Sequence, residues 1–150
     1  MTDFVTACDR ALDSLHSYHA HGPEANIDKY FACFSPQGRF LGTDGKESWS
    51  IEDFRRYSEP FFDGPRAAPF VPRPGSRKFV SFPSNSLSPI VVAFDEILEC
   101  EGMKGQARGN GSLVWDEDQQ KWLVFLYHLS IPVPNEIAER VCTITRSARK

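Results

Sequence analysis

The sequence lacks the long apolar run that a transmembrane helix requires. No window of the 150-residue chain approaches the roughly 20 apolar residues that are needed to cross a bilayer. The N-terminus, MTDFVTACDR, contains acidic residues and has no basic segment followed by an apolar stretch, so it does not resemble a secretory signal. We therefore expect a cytoplasmic protein that has no membrane partner.

A net basic charge and closely spaced cysteines are also lacking. The formal net charge is −3, which argues against nucleic acid as a partner because phosphate binding needs a basic surface. The cysteines lie far apart, with no CxxC pair, at Cys8, Cys33, Cys100 and Cys142. We therefore expect reduced thiols and no zinc site. The sequence contains no GxSxG, Walker, GxGxxG or HExxH motif, so no cofactor is predicted.

Helices are predicted from the spacing of apolar residues and from capping signals. Apolar residues three and four positions apart predict a first helix over residues 4–18. Pro23 and Glu24 are typical of the start of a second helix. Ser50, with Asp53 three residues later, predicts the capped start of a third helix.

The rest of the chain has the pattern of strands joined by short connections. A turn is predicted at 35–38, followed by a short strand at 39–43. The proline-rich segment 63–76 is predicted to be an extended connector or a strand at a sheet edge. Further strands are predicted at 77–82, 88–100, 105–115 and 121–131, and a last helix from 135 to about 146. The short links between these strands predict antiparallel pairing.

The later strands are apolar on both faces, which bears on how the protein associates. The run WLVFLY (122–127) does not alternate, whereas an antiparallel sheet with one face in water would do so. We predict an α+β fold in which the helices cover one face of the sheet. A second copy of the protein would cover the other face, and we favour such a homodimer. The alternative is that the last helix covers this face alone.

Several segments of the chain form a recognisable set. They are FLGTD (40–44), FDE (94–96), RGNGSLV (108–114) and WDEDQQKWLVFLYHLSIPVPNE (115–136). The set resembles the SnoaL-like group of the nuclear-transport-factor-2-like superfamily. The spacing of Trp115, Trp122, His128 and Ser130 is also similar to the association domain of calcium/calmodulin-dependent protein kinase II.

The resemblance implies one SnoaL-like domain over residues 1–150. Its fold would be a cone-shaped barrel, in which a strongly bent and mostly antiparallel sheet wraps around N-terminal helices. It also implies a deep pocket for a small-molecule ligand inside the cone, and dimerisation through the outer face of the sheet. The fold hosts cyclases, isomerases, dehydratases, transport factors and oligomerisation hubs, so it does not define an activity.

Asp95 and Glu96 are the first candidates for acid–base chemistry. Adjacent strand residues point to opposite faces, and Glu96 shares its face with the apolar Phe94 and Leu98. Because a lone buried carboxylate is costly, three interpretations stay open: a structural ion pair, an acid or base with a raised pKa, or a bulge that turns Glu96 to water. Arg108 is the expected partner of Glu96 or Asp95, or else an orienting cation for a ligand.

His128 is predicted to lie on the same strand face as Ser130, which is a further candidate for ligand contact. His128 is either a hydrogen-bonded core residue or a neutral imidazole that contacts a bound carbonyl or hydroxyl. The resemblance supports the pocket, since the relatives have a histidine at this position. The resemblance to the kinase association domain also implies an arginine in the pocket at the position of Glu96, which supports an inward-facing Glu96. Trp49 and Tyr30 are candidate pocket walls, although the favoured alternatives are a staple at the start of the third helix for Trp49 and a core position for Tyr30.

Two functions remain open at this level. The first is a cofactor-free isomerase, cyclase or dehydratase that acts on a small carbonyl compound. Glu96 or Asp95 would be the base, His128 a donor to the developing oxyanion and Arg108 an orienting cation. The second is a non-catalytic ligand-binding or dimeric association module.

Overall fold

The computed structural model describes residues 3–64, 69–84, 88–101 and 105–148. Its helices are α1 (Phe4–Tyr18), α2 (Ile27–Phe31), α3 (Ile51–Asp63) and α4 (Ala138–Ala148), the last preceded by a 3-10 turn. Its strands are β1 (Phe34–Leu41), β2 (Ser48–Ser50), β3 (Val71–Pro72), β4 (Lys78–Phe82), β5 (Val91–Cys100), β6 (Gly105–Asp116) and β7 (Lys121–Ser130). Within the described ranges, no helix has both the length and the apolar character that crossing a membrane requires.

The strands form one sheet in the order β2-β1-β7-β6-β5-β3, and β4 also pairs with β5. The pair β1–β7 is parallel, and the other pairs are antiparallel. The predicted α+β fold with a bent, mostly antiparallel sheet is therefore confirmed. Across the part of the chain that the structure describes, β2 and β3 do not pair with each other, so the sheet stays open instead of closing as a barrel.

Two of the predicted helix starts are confirmed and one is wrong. α1 has the predicted extent, and the Ser50 hydroxyl caps α3 by accepting from the Asp53 amide at 3.1 Å. α2 begins at Ile27 instead of Pro23. Its cap is Asn26, whose side-chain oxygen accepts from the Lys29 amide at 3.0 Å. The segment before Asn26 is held in turns by backbone bonds to the end of α1, so it is not free to be helical.

The predicted turn at 35–38 is wrong, because these residues lie inside β1. The pairing of β1 with β7 is regular at Phe34 and again from Arg39, with an irregularity between them. A Cβ atom on Gly38 would lie 2.4 Å from the carbonyl oxygen of Phe125. The turn-forming residues therefore allow a distorted strand to pass close to β7.

A β-bulge at Phe125 sets the orientation of side chains in β7. Leu113 of β6 pairs with Val124, and the neighbouring Ser112 pairs with Leu126. Phe125 is thus an extra residue without a partner position on β6. Such a bulge offsets the alternation of the strand by one residue from that point on.

This offset determines which side chains of β7 face the helices. Tyr127 is buried in the core and Leu129 packs against it, so these residues face inwards. His128 and Ser130 consequently lie on the outer face. A core or pocket position for His128 would require the inner face, and the bulge turns this residue to the other face. The unbroken apolar run gives no alternation from which the bulge could be read.

Aromatic side chains fill much of the space between the helices and the sheet. Phe40 of β1 stacks on Phe54 of α3, with ring centroids 3.8 Å apart, and on Tyr127 at 5.9 Å. Tyr30 of α2 is buried and meets the Phe34 ring edge-on at 5.3 Å. These rings fill the space between α2, α3, β1 and Tyr127 of β7.

The outer face of the sheet retains large exposed apolar side chains. On β4, Val80 and Phe82 are 68% and 64% exposed. α4, which the structure describes in full, buries none of its residues, and its Ile144 is 67% exposed. The last helix therefore does not cover this face by itself.

We expect Gly111→Ala to destabilise the fold, because it disturbs the pairing of β6 with β7 next to the bulge. A Cβ atom at this position would lie 1.8 Å from the carbonyl oxygen of Leu126, so β6 or β7 must shift. The free energy of unfolding, measured by urea denaturation, should fall by about 1–3 kcal/mol, as for other overpacked sites.

Gly45→Ala is the matched control, because a Cβ atom there would have no heavy atom within 4 Å. Its effect should stay within about 0.5 kcal/mol, the usual range for surface substitutions. Equal losses in the two variants would contradict the role given to the bulge.

Candidate functional site

Glu96 of β5 is completely buried, and both of its carboxylate oxygens accept hydrogen bonds. His16 Nε2 donates to Oε1 at 2.6 Å, and the Tyr127 hydroxyl donates to the same oxygen at 3.0 Å. Arg77 Nε donates to Oε2 at 2.9 Å, and Arg77 Nη2 also lies 2.9 Å from Oε2. An ionised carboxylate only accepts, so His16 carries a proton on Nε2 in this contact. We call these four residues the Glu96 cluster.

Arg77 connects the Glu96 cluster to helix α1. Its Nη1 lies 2.7 Å from Oδ1 of Asp9 and 2.9 Å from Oδ1 of Asp13, both on α1. Burial disfavours the charge of Arg77, but the bonds to Asp9, Glu96 and Asp13 outweigh burial and raise the pKa of Arg77. The guanidinium is therefore a permanent charge between the helix and the sheet.

The electrostatics of the cluster keep Glu96 ionised. Burial alone would raise the pKa of Glu96, but the hydrogen bond and charge of His16, followed by those of Arg77, hold it below its ordinary value. Burial and the charge of Glu96 raise the pKa of Tyr127 well above its ordinary value. Of the three interpretations of Glu96, the geometry is that of an ion pair, and its partner is Arg77 instead of Arg108.

Glycine at position 109 allows Tyr127 to reach Glu96. Gly109 lies directly opposite Glu96 in the β5–β6 register. A Cβ atom there would lie 2.1 Å from the Tyr127 hydroxyl oxygen and 3.2 Å from Glu96 Oε1. Gly109 therefore permits the close approach of a phenol to a buried carboxylate.

A small cavity of about 40 Å³ adjoins the cluster. Its lining includes His16, His19, Tyr30, Leu98, Tyr127 and Leu129. Burial, followed by the neighbouring His21 and His16, lowers the pKa of His19 to about 3, so its imidazole is neutral. The volume suits about one water molecule, and typical ligand pockets begin near 300 Å³.

Most of the predicted site residues lie elsewhere, on the outer face of the sheet. Arg108 Nε is 3.2 Å from Oδ1 of Asp95, and both side chains are about half exposed, at 47% and 46%. Asp95, Asn110 and His128 follow one another across β5, β6 and β7 in the register, and Ser130 pairs with Arg108. These residues therefore lie close to one another on the outer face, and not close to Glu96. Their predicted contacts with a ligand stay predictions.

The two predicted pocket walls are separated in the structure. Tyr30 lines the small cavity beside the Glu96 cluster. Trp49 stacks on Tyr57, with ring centroids 4.5 Å apart, and on Phe54 at 5.9 Å. Trp49 thus packs against α3 next to the core, away from the small cavity.

Sequence reasoning missed Arg77, His16 and Tyr127. Arg77 lies one step beyond the Lys78–Asp95 pair and so faces Glu96, but the register that shows this comes from the structure. His16 follows the buried Leu12 by one helical turn, which places it on the buried side of α1. Tyr127 gave no such signal, because the bulge that turns it inwards cannot be read from the sequence.

The chain was compared with known protein families and with curated protein sequences. Residues 12–134 match the profile of the SnoaL-like domain, and the chain therefore belongs to the SnoaL-like family. Compared with curated protein sequences, the chain has no significant match. The predicted resemblance to this family is confirmed.

Solved structures with the same fold share little sequence with the chain. An NTF2-like protein of unknown function from Pseudomonas putida has a TM-score of 0.64 at 10% identity, covering 91% of this chain and 93% of its own. A ketosteroid isomerase-like protein from Erwinia carotovora has a TM-score of 0.61 at 12% identity, covering 89% and 100%. A proposed calcium/calmodulin-dependent kinase II association domain from Exiguobacterium sibiricum has a TM-score of 0.61 at 15% identity, covering 90% and 98%. Likeness at this level shows a shared fold.

We expect the Glu96 cluster to make stability depend on pH in the acid range. Because the pKa of Glu96 is lowered in the folded state, its contribution is complete above the ordinary carboxyl value of 4.5. The contribution is lost as the pH falls through the lower folded-state pKa. Below pH 4.5, the free energy of unfolding measured by urea denaturation should therefore fall less with decreasing pH in Glu96→Gln than in the wild type.

Glu99→Gln is the control for this measurement. Glu99 also pairs with an arginine, Arg73, but both side chains are substantially exposed. The decrease in the free energy of unfolding at acid pH should be the same in Glu99→Gln as in the wild type. If Glu96→Gln and Glu99→Gln had the same pH dependence, the assigned electrostatics would be wrong.

We expect Arg77→Met to be strongly destabilising, because it leaves Glu96 buried without its cation. The loss in the free energy of unfolding should be about 3–5 kcal/mol, as for other broken buried pairs. Arg73→Met breaks the exposed pair with Glu99 and should cost no more than about 1 kcal/mol. Adding Glu96→Gln to Arg77→Met should recover part of the loss. Similar losses in the two arginine variants would contradict this account.

Proposed function

We propose that the protein is a non-catalytic association module that works as a homodimer. The observation that carries this proposal is the state of Glu96, whose two oxygens are engaged by His16, Tyr127 and Arg77. A general base must come within hydrogen-bond reach of the proton that it removes. The cavity of about 40 Å³ beside the cluster has no space for a carbonyl substrate in that position.

The outer face of the sheet supports the proposed association. Val80, Ala93, Ser112 and Leu126 follow one another in register across β4, β5, β6 and β7, which makes a continuous row. The exposed Phe82 and Phe125 extend this row at its two ends. We call these six residues the outer-face patch. A second copy of the chain fits such a patch, because a two-fold axis places the same surface on both partners.

Charged residues beside the outer-face patch favour a second copy as the partner. Asp95 and Arg108 lie on the same face, each about half exposed. Under two-fold symmetry, the arginine of one protomer can approach the aspartate of its partner. Opposite charges across an interface determine how the two protomers align more than they increase the binding affinity. The apolar row would then supply most of the binding free energy.

The mass in solution tests this proposal. We expect light scattering coupled to gel filtration to give twice the chain mass of 17.0 kDa for the wild type. Val80→Asp places a charge on an apolar residue of the patch that is 68% exposed, and should raise the dissociation constant at least about tenfold. Val5→Asp changes an exposed valine on α1, outside the patch, and should leave the mass unchanged. A wild type that is monomeric at all concentrations would refute the dimer.

The short contact between His16 and Glu96 favours a second candidate, an acid–base enzyme. With Nε2 only 2.6 Å from Oε1, the pair has the geometry of a proton-transfer dyad, and the Tyr127 hydroxyl is a ready donor to an oxyanion. This function requires the small cavity to open for a carbonyl compound. The reaction class would be isomerisation, cyclisation or dehydration.

Exchange of α-protons for deuterium in cyclohexanone, followed by NMR in heavy water, separates the two candidates. If the protein is an association module, the exchange rate should be the same with the wild type and with His16→Gln. If it is an acid–base enzyme, the wild type should be at least about tenfold faster, within the usual range for general-base catalysis. Circular dichroism confirms that the variant is folded.

A further inference from the structure

A groove of about 960 Å³ lies between α1, the end of α2 and the hairpin formed by β6 and β7. Its α1 wall is the side of the helix that carries Phe4, Ala7, Ala11 and Tyr18. The side chains that reach the Glu96 cluster project from the opposite side of α1. The groove and the cluster are therefore separate features of the molecule.

The groove exists because small residues stand opposite large ones. Ala7 and Ala11 leave space along the middle of the α1 wall, where longer side chains would fill it. Across this space, the rings of Trp115 and Trp122 meet edge to face with centroids 5.8 Å apart. The result is an apolar floor, within the size range of small-molecule sites.

Cationic side chains stand at the rim of this apolar groove. Arg10, Lys29 and Lys121 line it, together with the carboxylate of Glu117. Lys121 Nζ donates to the carbonyl oxygen of Ala32 at 3.3 Å. Lys29 Nζ lies 5.3 Å from the centroid of the Tyr18 ring. Both lysines are thus held near the end of α2, which gives the groove a positive rim in a chain whose net charge is −3.

We propose that this groove binds a small amphipathic carboxylate. The apolar body would lie on Trp115 and Trp122, and the carboxylate would take hydrogen bonds from Lys29 and Lys121. An apolar surface with a few placed polar groups at its edge is the usual composition of a ligand site. An apolar body of about ten carbons fits the volume of the groove. This site goes beyond the proposed association and does not depend on the dimer.

Tryptophan fluorescence in a Trp49→Phe background is the direct test. The sequence contains three tryptophans, so this variant leaves Trp115 and Trp122 as the emitters, and both line the groove. Decanoate is the probe, and decanol is the neutral probe of equal chain length. We expect a saturable change with decanoate and an affinity at least tenfold lower for decanol. Calorimetric titration of the wild type gives the same comparison without any substitution.

Substitutions then separate the contribution of charge from that of the apolar floor. The double variant Lys29→Gln/Lys121→Gln should lose most of the preference for decanoate and keep the affinity for decanol. Lys46→Gln, outside the groove, should bind decanoate like the wild type. Ala11→Phe fills the groove and should weaken both probes, with thermal unfolding as the check that the variant is folded.

Two results would overturn the proposal. The first is the absence of a saturable signal with decanoate in both fluorescence and calorimetry. The second is equal affinity for decanoate and decanol, which would remove the role of the lysine rim. Either result leaves the mass measurement on the dimer unaffected, so the two proposals fail or hold separately.

Discussion

The burial of one carboxylate constrains the whole arrangement of this molecule. An isolated charge inside a protein is unstable, so Glu96 must be surrounded by donors that remain in place. These donors come from α1, from the residue preceding β4 and from β7, which brings elements distant in sequence to one point. Arg77 extends the network to the carboxylates of α1. The same contacts that fix the helix on the sheet therefore also occupy the interior of the cone.

This use of the interior separates the chain from what its resemblance to the kinase association domain implies. That resemblance implies an arginine at the position of Glu96, whereas this chain has a carboxylate there. Here the chain supplies its own arginine, Arg77, to the buried site. Because the space around Glu96 is filled by the cluster and by aromatic rings, other surfaces of the molecule are better candidates for function. The outer-face patch and the groove along α1 are two such surfaces.

The sequence was sufficient for the elements whose patterns are regular. α1, the Ser50 cap and the antiparallel order of β5, β6 and β7 all follow from spacing and turn signals. The bulge at Phe125 was not predictable, because an extra residue in a uniformly apolar strand leaves no trace in the pattern. That one residue decides whether Tyr127 or His128 faces Glu96. The inward position of Glu96 was predictable, but its true partners required the register of β4 and the fold of α1.

The parallel pairing of β1 with β7 has a consequence for how the molecule forms. β7 lies between β1 and β6 in the sheet, although it comes last among the strands in the chain. β1 therefore has only β2 as a strand partner until β7 is available, and the aromatic residues of the N-terminal half lack the rest of the sheet as a packing surface before then. Contacts between such distant segments slow folding, because the intervening loop must close first. During synthesis on the ribosome, the N-terminal helices would remain exposed until the final hairpin emerges.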